Sequence, residues 1–542
     1  MSQHAVAALV LAFGVAGCSG RSATSCADLK SLSLGDATIT KVQSVAAGPF
    51  AIPADPGARA ESITLPAFCR VQGVIEPAKD SHIEFEVWLP ASAEGSGAAG
   101  SGWNGKYQGV GNGAFAGSIE YVGEGGALAS ALKAGYAASS TDTGHHADGF
   151  DARWALGHPE KVVDYGYRAI HETAEKAKII VRAFYGEPAK HSYFSSCSNG
   201  GRQALMEAQR FPTDYDGIIA GAPAANFTRI LTGFTWDSLA TTLDPASYIP
   251  PGKFAVIEAA AVAACDARDG VKDGIIDEPN ACAFDPSRLQ CKGPESDACL
   301  TSPQIAAIKK IRSGPRTTKG EQLYPGFEPG GESGWAGWVS GARADQSAQY
   351  IFGTQGMANI IFQNAAYDYK AFNVDRDARA ADDLAGRTLN AIDPDLSAFQ
   401  KRGGKLILFH GWSDPALPPT ATIDYYRGAA EKLGKRADET IRLYMVPGMQ
   451  HCGDGPGADA FGFAPGLPPA EPDPSRNMTA ALERWVEQGT APAAIVATKY
   501  NVEDNPSSGV KFTRPVCPYP QVARYKGTGS ANDAANFECF AP

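Results

Sequence analysis

Three residues far apart in the chain have the types and the surroundings for nucleophilic acyl transfer. Ser198 lies in Phe194-Ser195-Ser196-Cys197-Ser198-Asn199-Gly200-Gly201, Asp414 in His410-Gly411-Trp412-Ser413-Asp414-Pro415, and His451 in Pro447-Gly448-Met449-Gln450-His451-Cys452-Gly453. A serine between small residues fits the sharp strand-to-helix turn that lifts a hydroxyl above a sheet. His451 would take the Ser198 proton, and Asp414 would hold the imidazole tautomer and stabilise its positive form. The Asn199 amide, at a helix start, would face a developing oxyanion. Ser196 stands where the usual Gly-x-Ser-x-Gly motif has its first glycine, which keeps a small residue but thins the generic signal. Each residue also has a plainer reading: Ser198 as a helix cap, Asp414 as a turn carboxylate, His451 as a loop histidine. Those readings do not account for all three occurring in this order, each after a strand.

Two cysteines add to the pattern. Cys197 precedes the candidate nucleophile and Cys452 follows the candidate base. If Ser198 and His451 come within hydrogen-bonding reach, their neighbours fall within the Cα spacing a disulfide asks for. A Cys197–Cys452 bond is therefore expected. His145-His146 is a competing base or metal pair, but it follows the wrong strand and lacks further ligands at metal spacing. His82, His158, His171 and His191 have no local partner pattern.

The elements that must position these residues follow from periodicity. Residues 83–89 alternate apolar and polar, as a half-buried strand does. Strands are also expected from residue 107 into the glycine-rich turn ending at 117, and at 136–140, 191–196, 215–220, 405–409 and 440–446. Helices are expected at 159–185, from the nucleophile to 210, at 421–433 and at 478–488. This alternation predicts an α/β fold with a parallel sheet. Between 226 and 395 the rhythm stops and Gly, Pro and Asp accumulate, which reads as an insertion into one domain. The expected organisation is thus 18–225 and 396–542 as the two parts of the core, with 226–395 as a lid.

Composition sets the outer bounds. The chain has 542 residues, 44% apolar and 20% charged, with a net charge of −11. That is globular composition, and an acidic chain without a basic run is a poor nucleic-acid partner. Residues 1–17 read as a signal peptide, with the apolar run AVAALVLAFGVAG at 5–17. Val15-Ala16-Gly17-Cys18 resembles a bacterial lipobox, in which Cys18 would carry a lipid and anchor the protein to a membrane. Residues 1–4 lack the usual basic residue, and an ordinary signal peptide is the alternative. Setting Cys18 aside leaves ten cysteines, an even count that suits a disulfide framework in an exported chain.

The motifs together carry a resemblance. Cys197-Ser198-Asn199-Gly200-Gly201-Arg202, Arg210-Phe211-Pro212 and Tyr215-Asp216-Gly217-Ile218-Ile219-Ala220-Gly221-Ala222-Pro223 are similar to the tannase and feruloyl esterase family, which includes mono(hydroxyethyl) terephthalate hydrolases. The similarity extends over His158-Pro159-Glu160-Lys161, Gly411-Trp412-Ser413-Asp414, Pro447 to Cys452 and Cys517-Pro518-Tyr519-Pro520. It implies an α/β-hydrolase core with a large lid, and the triad Ser198, Asp414 and His451. It further implies the bonds Cys197–Cys452, Cys26–Cys69, Cys265–Cys282, Cys291–Cys299 and Cys517–Cys539. The second oxyanion amide would lie in Gly109-Val110-Gly111-Asn112-Gly113, at Gly111, where small residues let backbone approach a substrate.

The insertion carries two further signals. Asp266, Asp269, Asp273 and Asp277, interleaved with glycines after Cys265, offer hard oxygen ligands that suit Ca²⁺, or form an acidic solvated turn. The spacing is not that of an EF-hand. The family resemblance implies calcium, held by the side chains of Asp266, Asp269 and Asp273 and the carbonyls of Val271 and Ile275, in a structural role. Trp335, Trp338, Tyr350, Phe352, Phe362, Tyr367, Tyr369 and Phe372 could stack on an aromatic acyl group, or fill the insertion's own core. Between residues 344 and 370 only Lys370, at the edge, carries a positive charge. A neutral phenolic ester is therefore favoured over a terephthalate monoester, whose carboxylate would want an Arg. The expected function is a secreted serine esterase that cleaves hydroxycinnamoyl-type esters through an acyl-enzyme. A tannase or a terephthalate monoester hydrolase is the alternative within the class. A non-catalytic, calcium-stabilised binding protein is the alternative outside it.

Overall fold

The computed structural model describes residues 23–53, 61–92, 101–123, 127–463, 472–503 and 505–541. The expected signal peptide and Cys18 lie outside the described residues. Strands β1 (Ala37–Val45), β2 (Phe68–Ile75), β3 (Ile83–Pro90), β4 (Lys106–Val110), β5 (Ala137–Thr141), β6 (His191–Cys197), β7 (Gly217–Gly221), β8 (Lys405–Gly411) and β9 (Ile441–Val446) build one sheet. Their order is β1-β2-β3-β5-β4-β6-β7-β8-β9. From β5 to β9 every neighbouring pair is parallel. The β1, β2, β3 end is antiparallel. The sheet is therefore mixed, in the α/β-hydrolase arrangement, where the alternation of strands and helices predicted a parallel one.

The parallel strands were legible because both faces are covered, so their sequences run continuously apolar. Leu406, Ile407, Leu408 and Phe409 of β8 are all fully buried. Strand β2 hides behind its polar residues. Arg70 is buried, and its Nε donates to Glu86 Oε2 on β3 at 2.8 Å, so a charge pair sits inside the sheet where an apolar run would be expected.

Helix α1 (Ala169–Tyr185) ends at Gly186, whose φ of +79° is the left-handed cap a glycine provides. Ahead of it, Pro159–Val163 is α-helical and Asp164–Arg168 is a π turn. Helix α2 (Asn199–Arg210) follows β6. Between β7 and β8 the chain is helical, with α3 (Phe227–Thr242), α4 (Phe254–Cys265), α5 (Ser302–Ser313) and α6 (Ala348–Gln355). After β8, α7 (Pro419–Leu433) leads to β9, and α8 (Met478–Gln488) covers the sheet. The inserted segment has its own core around Phe254, Ile257, Ile308, Ile311 and Trp335. A second cluster joins Phe115 and Tyr165 of the sheet side to Phe227, Leu231 and Phe352 of the insertion. The candidate site opens at that junction.

Candidate active site

Ser198 sits between the end of β6 and the start of α2, with φ +63° and ψ −124°. A non-glycine residue held in this region stores strain, and the surroundings must over-determine it. Its amide donates to Gly221 O of β7 at 3.0 Å. The first turn of α2 is pressed against the sheet. A Cβ on Gly201 would fall 2.4 Å from Gly221 O, and one on Gly200 would fall 1.8 Å from Ser196 Oγ. Gly200 and Gly201 are therefore spatial requirements, and Ser196 fills the space that Gly200 leaves.

The structure brings Ser198, Asp414 and His451 together. His451 Nε2 lies 2.9 Å from Ser198 Oγ, and His451 Nδ1 lies 2.7 Å from Asp414 Oδ2. Asp414 Oδ1 accepts the amides of Ala416 at 2.7 Å and Leu417 at 3.0 Å. A second histidine, His410 of β8, places Nε2 2.9 Å from the same Asp414 Oδ2. Burial alone would push the Asp414 carboxyl up. The His451 charge and the hydrogen bonds from His410 and His451 outweigh it and hold the carboxyl well below its usual range.

The loop after β4 is locked onto α2. Asn112 N donates to Gln203 Oε1 at 3.0 Å, Gln203 Nε2 donates to Asn112 Oδ1 at 2.8 Å, and Asn199 Nδ2 donates to Asn112 O at 3.0 Å. Tyr165, from the π turn, donates its hydroxyl toward Ala114 O and Asn199 Oδ1. The fully buried Arg202 donates to Asn199 Oδ1 at 2.9 Å, to Gly166 O at 2.7 Å and to Leu389 O of the insertion at 3.3 Å. Gly111 packs behind the loop against Gln203 and Ser196, and the residues that line the cavity beside Ser198 are Gly113 and Ala114.

A cavity of about 260 Å³ opens at Ser198 and His451. Its far wall is Phe227, Ile230, Leu231 and Phe234 of α3 with Trp338 and Phe352, and Phe115 and Phe150 close the sheet side. Trp338 meets the His451 ring edge-to-face at 5.3 Å between centroids. Among the described residues that line it there is no Lys, Arg, Asp or Glu. Of the aromatic residues singled out in the insertion, Trp338 and Phe352 reach this cavity. Trp335 packs in the insertion's core between Phe254 and Phe327.

The competing residues are held elsewhere. His145 is buried against Trp154, its Nε2 faces Phe115 O at 3.0 Å, and burial pushes its pKa down to about 3. Five disulfides join Cys26–Cys69, Cys197–Cys452, Cys265–Cys282, Cys291–Cys299 and Cys517–Cys539.

In the acidic loop, Asp266 accepts the amides of Asp273 and Gly274, Asp269 accepts that of Val271, and Asp273 accepts that of Ile275. Burial, then repulsion from Asp269 and Asp273, pushes the Asp277 carboxyl well up. Arg514 pairs with Asp273. The donors are oxygen only, which is the chemistry a hard divalent ion takes, while in this structure the carboxylates are held by backbone amides and by Arg514.

Comparison with known proteins agrees with this architecture. The chain matches the sequence model of the tannase and feruloyl esterase family over residues 69–540. It is 42% identical to an uncharacterized esterase of Xanthomonas campestris pv. campestris, over 95% of this chain and 91% of that one. It is 34% identical to the mono(2-hydroxyethyl) terephthalate hydrolase of Piscinibacter sakaiensis, over 90% and 87%. The crystal structure of feruloyl esterase B from Aspergillus oryzae superimposes with a TM-score of 0.84 at 29% identity, covering 95% of this chain and 99% of that one. With fold, site geometry and relatives in agreement, the chain belongs to the tannase and feruloyl esterase family of carboxylic ester hydrolases.

Proposed function

We propose that this protein is an exported serine esterase that hydrolyses esters of neutral aromatic acids of the hydroxycinnamoyl type through an acyl-enzyme. The observation that carries the substrate class is the cavity beside Ser198, walled by aromatic and aliphatic side chains and, among the described residues, without an ionisable lining residue other than His451. Such a site holds a phenyl ring well. It leaves the second carboxylate of a terephthalate monoester without a partner, and desolvating an unpaired carboxylate costs several kcal/mol.

In this reading His451 Nε2 takes the Ser198 proton as Oγ attacks the ester carbonyl. The oxyanion that forms is met by the Asn199 amide at the start of α2 and by a backbone amide of the Gly111–Ala114 loop. As the tetrahedral centre collapses, His451 returns its proton to the leaving alcohol. Water, deprotonated by the same imidazole, then attacks the acyl-serine and releases the acid. Asp414 keeps Nδ1 of His451 protonated throughout.

The oxygen donors of Asp266, Asp269, Asp273, Val271 and Ile275 would hold a structural Ca²⁺, with Asp277 adding a carboxylate next to them. The ion would fix the loop that Cys265–Cys282 closes. Export is supported by the five disulfides. Lipidation at Cys18 would make the protein membrane-anchored.

The test is kcat/KM on methyl ferulate, methyl gallate and mono(2-hydroxyethyl) terephthalate, with mass spectrometry of the Ser198 peptide after rapid acid quench. Methyl ferulate is expected to exceed the terephthalate monoester by about tenfold or more, with the feruloyl mass found on Ser198. A preference for the monoester, or an unmodified Ser198 peptide under turnover, would overturn the reading.

A further inference from the structure

Asp414 accepts four hydrogen bonds, and two of them come from different imidazoles. Oδ1 takes the amides of Ala416 and Leu417. Oδ2 takes His451 Nδ1 at 2.7 Å and His410 Nε2 at 2.9 Å. The protons on His410 follow from its surroundings. Its Nε2 faces two acceptors, Asp414 Oδ2 and Leu417 O at 3.2 Å, so that nitrogen carries hydrogen. Its Nδ1 lies 2.8 Å from Thr422 Oγ1 of α7, a hydroxyl able to donate to it. With Thr422 donating, the ring is neutral and both nitrogens are satisfied, as a side chain with 1% exposure requires.

We propose that His410 is a positioning residue for proton transfer at Ser198. Its Nε2–H fixes Asp414 Oδ2 in line with His451 and draws off part of the carboxylate's charge. The inference rests on the serine esterase reading above and deepens it. A carboxylate that served His451 alone would raise the basicity of that imidazole further. Sharing it keeps Asp414 ionised and His451 free to accept a proton at lower pH.

Other titratable groups stand further back. Tyr324 of the insertion is kept protonated by burial and by the charges of Asp414 and Asp424. Glu328 accepts the Thr420 hydroxyl at the start of α7.

The experiment compares kcat, KM and the pH profile of kcat/KM for wild type, His410→Leu, His410→Gln, Thr422→Val and Asp414→Asn, with circular dichroism to verify folding. His410→Leu should lower kcat by about 10- to 100-fold with KM within about threefold. Its acid limb should move to higher pH, because the full Asp414 charge then falls on His451. His410→Gln, which keeps a donor at the Nε2 position, should recover most of kcat. Thr422→Val should shift the acid limb in the same direction by less.

Wild-type kcat and an unmoved acid limb in folded His410→Leu, with Asp414→Asn inactive, would overturn the role of His410 and leave the triad reading standing. An active Asp414→Asn would instead overturn the triad. If His410→Leu does not fold, a Thr422→Val profile identical to wild type, or a folded His410→Gln that is inactive, overturns the proposal.

Discussion

Cys197 and Cys452 are joined by a disulfide with their Cα atoms 6.0 Å apart, and each is the chain neighbour of a residue that must meet the other's neighbour, Ser198 and His451. Cys452 itself has φ +66°, so the His451 loop holds a strained backbone at the point where the bond grips it. The bond spans 255 residues of sequence and on chain-entropy grounds stabilises by about 5 kcal/mol. Its local effect bears on activity. A Cys197→Ala, Cys452→Ala double variant should lose kcat by about 10²-fold even well below its melting temperature, since about 1 Å of drift between base and nucleophile suffices. A Cys517→Ala, Cys539→Ala control should lose stability and keep kcat where folded. Thermal melts paired with kinetics at 15 °C check this; identical behaviour of the two double variants counts against it.

Ser198 holds a strained backbone, with φ +63° and ψ −124°. Ser198→Ala should reduce kcat by about 10⁴-fold or more with the fold intact. Ser198→Gly should be equally inactive yet more stable than Ser198→Ala by about 1 kcal/mol, because glycine accepts φ +63° without a Cβ penalty. Chemical denaturation of the two variants measures the difference.

The turn after Ser198 admits a compensating pair. Gly200→Ala places a methyl on Ser196 Oγ and should destabilise by about 2 kcal/mol or more. Ser196→Gly opens that space, so the double variant Ser196→Gly, Gly200→Ala should recover part of the loss. A double-mutant cycle in urea should return a coupling energy of about 1 kcal/mol or more. Simple additivity would mean that the overlap is relieved some other way.

Calcium should stabilise the fold without entering the chemistry. EDTA should lower the melting temperature by several degrees, and Ca²⁺ at about a hundredfold excess over its Kd should restore about 3 kcal/mol. Zn²⁺ should not substitute, as the loop offers oxygens alone. Asp269→Asn should lower the melting temperature in Ca²⁺ and make it insensitive to EDTA. Calorimetry with metal analysis tests all three.

The alternation of parallel strands and helices was readable because buried strands are short apolar runs and helices carry their caps. Helix α8 and strand β8 fall within two residues of their expected bounds. The Ser, Asp and His positions were readable because each follows a strand in a fixed order. Three things were not. Gly111 and Gly113 are alike in sequence, and only the packing of Gln203 and Ser196 on one of them tells which faces the cavity. His410 closes a strand like any apolar-flanked histidine, and its partner Asp414 becomes visible only when the loop folds back. The cavity wall from Phe227 to Phe234 reads as an ordinary helix core. A helix that packs against a neighbour and one that lines a cavity have the same periodicity.

The chain divides labour along its length. Every hydrogen bond among Ser198, His451 and Asp414 is made by residues that follow β6, β8 and β9. Phe227, Ile230, Leu231, Phe234, Trp338 and Phe352, which wall the cavity beside Ser198, all come from the single excursion between β7 and β8. Of these six, Trp338 alone packs on the His451 ring, so the other five can vary without a direct contact to the Ser198, His451 and Asp414 hydrogen bonds. A combinatorial library confined to those six positions is the matching route for redirecting the enzyme in the laboratory.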